Sequence, residues 1–338
     1  MRLFLKRLIL FLLVPVLVLA VVYLVTDPYK TLRPFSLEYF DSTNRDYLSS
    51  ELFLANYPEQ QYDSYIFASS RGGGINTYHW AKYLPAGSKQ FMFQAWAETI
   101  AGIEQKVAYI ADHDYPLANA LVLLDVPDVF SHPQLPTQAL SIKDPRISRQ
   151  PRWVHQAILF YDFAQKPSQW SQAVSHWIHP TPPSVTFDPI TNDWNRGNRD
   201  QDLSVPPAKD SLNNISSLSR EVFLKEISTP KDPSELVSGP CIDAELESRL
   251  NHIKEMFTER GTDYRVVLTP GFYLSSLSVS PADLACLKSI FGENRVFDFS
   301  GKSEWNTDYN NFSDPTHFGL YVGWHMIEAI YGGGETGQ

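Results

Sequence analysis

The chain of 338 residues is 43% apolar and 13% aromatic, enough to bury a large core in one domain or two small ones. Its net charge of −10, with no Lys/Arg cluster beyond the N-terminus, excludes nucleic acid and an anionic membrane surface as the main partner. No Cys/His group has metal-ligand spacing, so neither a metal nor another cofactor is expected.

At the N-terminus, Arg2, Lys6 and Arg7 precede an uncharged apolar run over 8–25. Eighteen residues in a helix reach about 27 Å, close to the thickness of a hydrocarbon core. Residues 1–28 are therefore expected to anchor the chain once in the cytoplasmic (inner) membrane. Positive residues stay inside, which puts the rest in the periplasm or another extracytoplasmic space. A cleaved signal peptide is the rival, since Ala20 is small; the apolar run continues past it without a small-x-small site, which favours the anchor. In an oxidising compartment Cys241 and Cys286 are a candidate disulfide, with two buried free thiols as the alternative.

Residues 27–58 approach the body of the chain, with a short helix near 47–55. An apolar run bounded by polar residues predicts a buried strand over 62–68, and Gln-Phe-Met-Phe-Gln predicts a second over 90–94. Ile100, Ile103, Val107 and Ile110 recur at helical steps and predict a helix over 99–112. Residues 120–125 form the strongest strand signal.

From 130 to 239 the chain is rich in Pro, Ser, Asn and Asp, with short helices expected near 154–165 and 169–177. That length is too great for a loop, so an insertion packed on the main domain is expected. Trp153, Trp170, Trp177 and Trp194 are either a sugar-binding lining or packing residues of that insertion.

Regularity returns with an amphipathic helix over 243–260, stopped by Gly261. A strand over 264–269, a helix over 281–291, a strand over 295–299 and a closing helix carrying Leu320, Trp324, Ile327 and Tyr331 complete the pattern. Strands alternating with helices imply an α/β, doubly wound parallel sheet over 29–129 and 240–334, whose ligands sit beyond the C-terminal strand ends.

Two motifs fall on that edge. Ser70 follows the first strand in Ser69-Ser-Arg-Gly-Gly-Gly74, and Asp314-Pro-Thr-His317 follows the last. A serine hydroxyl needs a base to take its proton. His317 is the candidate base, and Asp314 the group that orients it, as in a Ser-His-Asp triad. The Ser70 N–H and a second amide near Ala97 are candidate oxyanion donors. Ser69 is the alternative nucleophile. The bland readings are a flexible glycine turn and an N-terminal cap on the closing helix. His79 is read as a surface residue, with lining of the pocket as the alternative, and His325 as a packing one.

At these residues the chain resembles the SGNH/GDSL hydrolase superfamily. Phe67-Ala-Ser-Ser70 is similar to its first block, with Ser70 at the nucleophile position, and Asp314-Pro-Thr-His317 to its last, Asp-x-x-His. The likeness is greater to membrane-anchored bacterial members that read Gly-Ser-Ser-Arg. It implies a flavodoxin-like, three-layer sheet and a cell-envelope esterase or O-acyltransferase acting on an acylated glycan or other envelope polymer. The second-block glycine falls near Ala97. The third block falls on Asp125-Val-Pro-Asp128, with Pro127 in place of the oxyanion asparagine, so Arg71 or Asn76 would have to contact the substrate instead. Loss of one such donor costs about 10²–10³ in rate.

Two other functions fit parts of the pattern. One is a non-catalytic envelope protein on the same scaffold, binding a glycan or a protein partner. The other treats residues 69–74 as an anion-binding loop like that of sulfotransferases, though no P-loop lysine is present and the Asp/His pair is left unused.

Overall fold

Five short runs, three of them almost wholly buried, form one parallel sheet in a computed structural model of the chain. The structure describes residues 2–34, 45–130, 143–180, 187–194, 200–207, 225, 237–273 and 277–332. In chain order the elements are α1 (Arg2–Thr26), α2 (Arg45–Gln60), β1 (Ser64–Ala68), α3 (Thr77–Ala81), β2 (Gln90–Gln94), α4 (Ile100–Asp112) and β3 (Asn119–Leu124). They continue with α5 (Pro145–Ser148), α6 (Arg152–Ala164), α7 (Pro167–Ile178), α8 (Ala244–Glu259), β4 (Asp263–Leu268), α9 (Pro281–Phe291), β5 (Val296–Asp298), α10 (Glu304–Thr307) and α11 (Leu320–Tyr331).

The sheet order is β2-β1-β3-β4-β5, compatible with a flavodoxin-like doubly wound sheet. Register runs Ala68 to Gln94 between β1 and β2, Ser64 to Asn119 between β1 and β3, and Leu124 to Leu268 between β3 and β4. All residues of β1 and β3 are buried, as a parallel sheet covered on both faces requires. Because side chains alternate, Ile66, Met92, Leu121 and Val267 join Trp80 of α3 and Met326 of α11 in one core layer. Tyr65, Phe67 and Phe93 point the other way and stack, with Phe53 of α2 among them. Helices α4 and α8 pack together and are tied by Arg249 to Glu104 at 2.5 Å.

Local chemistry sets the helix ends. Thr99 caps α4 by accepting from Gly102 N–H, Asp243 caps α8 through Glu245 and Leu246 N–H, and Ser280 caps α9 with Pro281 following. Gly261 takes φ +64° just past α8, the left-handed stop expected of a glycine there.

The chain forms two compact units, Met1–Glu51 with Gln134–Val185, and Leu52–Pro133 with Thr186–Gln338. The boundary differs from an insertion over 130–239 on a domain of 29–129 and 240–334. In the first unit Tyr23 and Tyr29 bury against Leu159 and Phe163, and the Tyr29 hydroxyl donates to Asp162 at 2.5 Å, which ties α6 to the N-terminal segment. In the second unit, 187–194 lies along the sheet edge. Met92 N–H donates to Thr191 O at 2.9 Å, and the Asn192 amide donates to Met92 O at 2.6 Å, covering β2, an edge strand.

The expected anchor over 8–25 lies within α1. Side chains at 2, 3, 5, 6, 8–10 and 12 fall outside those described. Among the described residues, no helix is long and apolar enough to cross a membrane. Cys241 and Cys286 are partly exposed free thiols, not a disulfide.

Candidate functional site

The C-terminal ends of four adjacent strands supply this site. After β1, Ser69 turns the chain and Ser70 opens a short 3-10 helix, Ser70–Gly74. The turn is packed, not loose. A Cβ on Gly72 would come within 2.7 Å of Ala68 Cβ, and one on Gly74 would collide with the Phe318 ring and lie 2.7 Å from Phe318 O. A Cβ on Gly323 of α11 would strike Gly74 O. The glycines therefore let the serine turn lie against α11 and the residue beside His317.

The second motif sits on a loop closed by a bridge between Phe312 and Phe318. Ser313 N–H donates to His317 O at 2.9 Å, and Phe272 N–H to Pro315 O at 2.8 Å. Within it, Asp314 Oδ1 accepts from the backbone of Thr316 at 2.9 Å and of His317 at 3.1 Å. The carboxylate thus closes its own turn; α11 begins after Gly319 without a side-chain cap.

The fold brings Ser70, His317 and Asp314 together. Ser70 Oγ lies 2.8 Å from His317 Nε2, and His317 Nδ1 lies 2.7 Å from Asp314 Oδ2. The aspartate accepts from Nδ1–H, so Nε2 is left to accept from the serine hydroxyl. Burial raises the Asp314 pKa, but hydrogen bonding and charge from His317, with the Thr316 amide and hydroxyl, outweigh it and hold it at about 2. The His317 and Asp314 side chains are 37% and 39% exposed, so the pair is reachable from solvent.

Ser69 is occupied elsewhere. Its hydroxyl donates to Asp125 Oδ2 and accepts from Arg71 N–H at 3.1 Å. Asp125, just past β3, also accepts from Thr269 Oγ1 at 2.7 Å, and Arg71 Nη1 donates to Thr269 at 3.1 Å. Burial raises the Asp125 pKa, partly offset by the Arg71 charge and the Thr269 bond. Arg71, expected as a substrate contact, is instead a buried strut of this network, with Nε 3.8 Å from Asp125. Asn76, the other expected contact, is also buried. Its Oδ1 caps α3 and its amide donates to Gln201 at 2.7 Å.

Ala97 is exposed after β2 with φ +54°, the left-handed conformation a glycine would take without strain. Its neighbour Glu98 is buried, ion-paired to buried Lys106 and bonded to Thr99 N–H at 3.0 Å, which fixes the turn. Pro127 offers no amide donor to the site.

One aromatic group at this edge was only partly visible in the sequence. Ala95 N–H donates to Ala68 O at 3.0 Å, so Trp96 follows β2 at the same sheet edge from which Ser70 follows β1. Trp96 stacks on Trp194 at 6.1 Å and 29°, and Trp194 lies 3.4 Å from where a Gly73 Cβ would be. Of the other tryptophans, Trp170 donates to Phe163 O at 2.7 Å in the first unit's core, and Trp153 and Trp177 are exposed. Trp96 escaped the sequence reading because it stands outside the Trp-rich insertion. His79, expected at the surface, is buried flat on Trp324 at 3.5 Å, and burial lowers its pKa to about 4. His325 packs against Trp305 and Tyr321, as expected. Among the described residues no group of His, Cys, Asp or Glu has the arrangement to hold a metal ion. Compared with family models and with curated proteins, the chain matches none of either.

Proposed function

We propose that the chain is an extracytoplasmic serine esterase or O-acyltransferase of SGNH type, acting on an acylated cell-envelope glycan or polymer. The observation that carries this reading is the linear Ser70–His317–Asp314 relay, with bonds of 2.8 and 2.7 Å. In the reaction, Ser70 Oγ attacks the ester carbonyl carbon while its proton passes to His317 Nε2. The Ser70 and Ala97 amides receive the oxyanion, and His317 returns the proton to the departing alkoxide. Water, or a sugar hydroxyl, then gives its proton to His317 and takes the acyl group from Ser70, and His317 returns that proton to the departing Ser70 Oγ.

An aromatic pair, Trp96 and Trp194, stands beside the serine turn and supports a sugar as substrate, because aromatic side chains offer large, rigid, amphipathic contact surfaces. The anchor reading is supported by α1, where Phe11, Val14, Val16, Leu17 and Val21 are exposed around more than half of the helix circumference. On this reading residues 1–28 hold the domain near the outer face of the inner membrane.

Pro127 favours a second reading, a non-catalytic SGNH-like protein that binds a glycan or protein partner, because one usual oxyanion donor is absent. Turnover separates the two. An acetylated oligosaccharide is incubated with the purified chain, with and without a hydroxyl acceptor sugar. Released acetate supports hydrolysis, and acetylated acceptor supports transfer. Neither product from wild type, or products undiminished in Ser70→Ala, would reject the enzymatic reading.

A further inference from the structure

The basic residues form no run in the sequence after the N-terminus, yet the first unit gathers three of them around one cavity of about 520 Å³. Arg33, Arg146 and Arg152 line it together with Tyr47, Glu51 and Asp144. That volume is in the range of small-molecule sites, roughly 300–1,000 Å³.

The three guanidinium groups are held differently. Arg146 is already neutralised, forked onto Asp144 at 2.8 and 2.9 Å and reaching Glu51 at 2.5 Å. Arg33 and Arg152 have no carboxylate partner among the described residues. Arg33 donates to Val25 O at 2.7 Å, and Arg152 donates to Thr31 O at 3.1 Å. The Arg33 backbone is fixed as well, because Asp27 accepts from the amides of Thr31, Leu32 and Arg33 at 3.0 to 3.2 Å. Three guanidinium groups therefore face two carboxylates. A local positive balance in a chain of net charge −10 calls for an anionic ligand.

We propose that this cavity binds a phosphate group through Arg33 and Arg152, the planar forks matching its oxygens. Arg33 holds the last turn of α1, so the site lies at the foot of the apolar helix. A phospholipid headgroup and a free phosphate share this chemistry, and the test distinguishes them. This inference does not depend on the serine site.

The full chain in neutral detergent is titrated calorimetrically with inorganic phosphate and, separately, with monomeric short-chain phosphatidylglycerol. Saturable binding of the lipid, tighter than that of phosphate, supports the headgroup as ligand. Equal binding of both supports a free-phosphate site. In either case the Arg33→Gln/Arg152→Gln variant is expected to bind at least about ten-fold more weakly, and wild-type affinity to fall as salt is raised. No saturable binding of either probe overturns the proposal. So does an unchanged affinity in the folded double variant, or, should that variant not fold, a wild-type affinity indifferent to salt.

Discussion

At Ser70 two hydrogen bonds in series determine what the hydroxyl can do, and each is open to a substitution. Asp314→Asn keeps the turn, since its Oδ1 can still accept from Thr316 and His317 N–H, but presents an amide to His317 Nδ1. Ester turnover should fall by about 10⁴-fold with the circular dichroism spectrum unchanged. Ser69→Ala is the opposite case. It removes the cap on the 3-10 helix and the bond to Asp125 but leaves the relay intact. Denaturant unfolding should show a loss of about 1–2 kcal/mol with the serine still reactive. A dead but fully stable Ser69→Ala would transfer the nucleophile's role to that residue. The two motifs and their pairing were readable from residue type and order. The roles of Arg71 and Asn76 were not, because only the fold shows that Arg71 reaches Thr269, 198 residues away, and that Asn76 faces Gln201.

Elements meet at this edge through tight contacts that tolerate little change. Gly74→Ala would force a Cβ onto Phe318, whose backbone cannot withdraw without moving His317. Thermal melting should shift down and turnover should fall together. A variant with lower stability but full turnover would show that the serine turn does not depend on this contact. The Lys106–Glu98 pair, with both side chains almost fully buried, holds the turn that carries Ala97. Lys106→Met leaves Glu98 buried without its cation and should cost about 3–5 kcal/mol, measurable by urea unfolding. Strands β1 to β4 were legible as buried apolar runs, each within two residues of its predicted bounds. The segment 187–194 was not, because its order comes from long-range bonds. Asp193 accepts from Thr77 and Thr191 hydroxyls, and Asn192 bonds Met92, none of which leaves a periodic signal.

At the scale of the molecule, Asp193 gives stability a pH dependence. Burial raises its pKa from 3.8 to about 7, with the Thr77 bonds offsetting only part of the effect. Between those values the folded chain holds a proton that the unfolded chain releases, so this group's contribution, full below pH 3.8, declines as pH rises through about 7. Asp193→Asn should flatten that decline in unfolding free energy; an unchanged slope would remove Asp193 as its source. The parallel α/β sheet was also visible from strand–helix alternation, whereas the division into two units was not. It follows from Tyr23 and Tyr29 meeting Leu159 and Phe163 more than a hundred residues away. The account as a whole stands on Ser70 being an activated nucleophile, and covalent labelling tests that most directly. The full chain in neutral detergent is treated with a fluorophosphonate, and the modified peptide is located by mass spectrometry. The prediction is a single adduct on Ser70, abolished in Ser70→Ala and strongly reduced in His317→Ala. An unlabelled wild type beside a labelled control esterase, or labelling that survives Ser70→Ala, would contradict it.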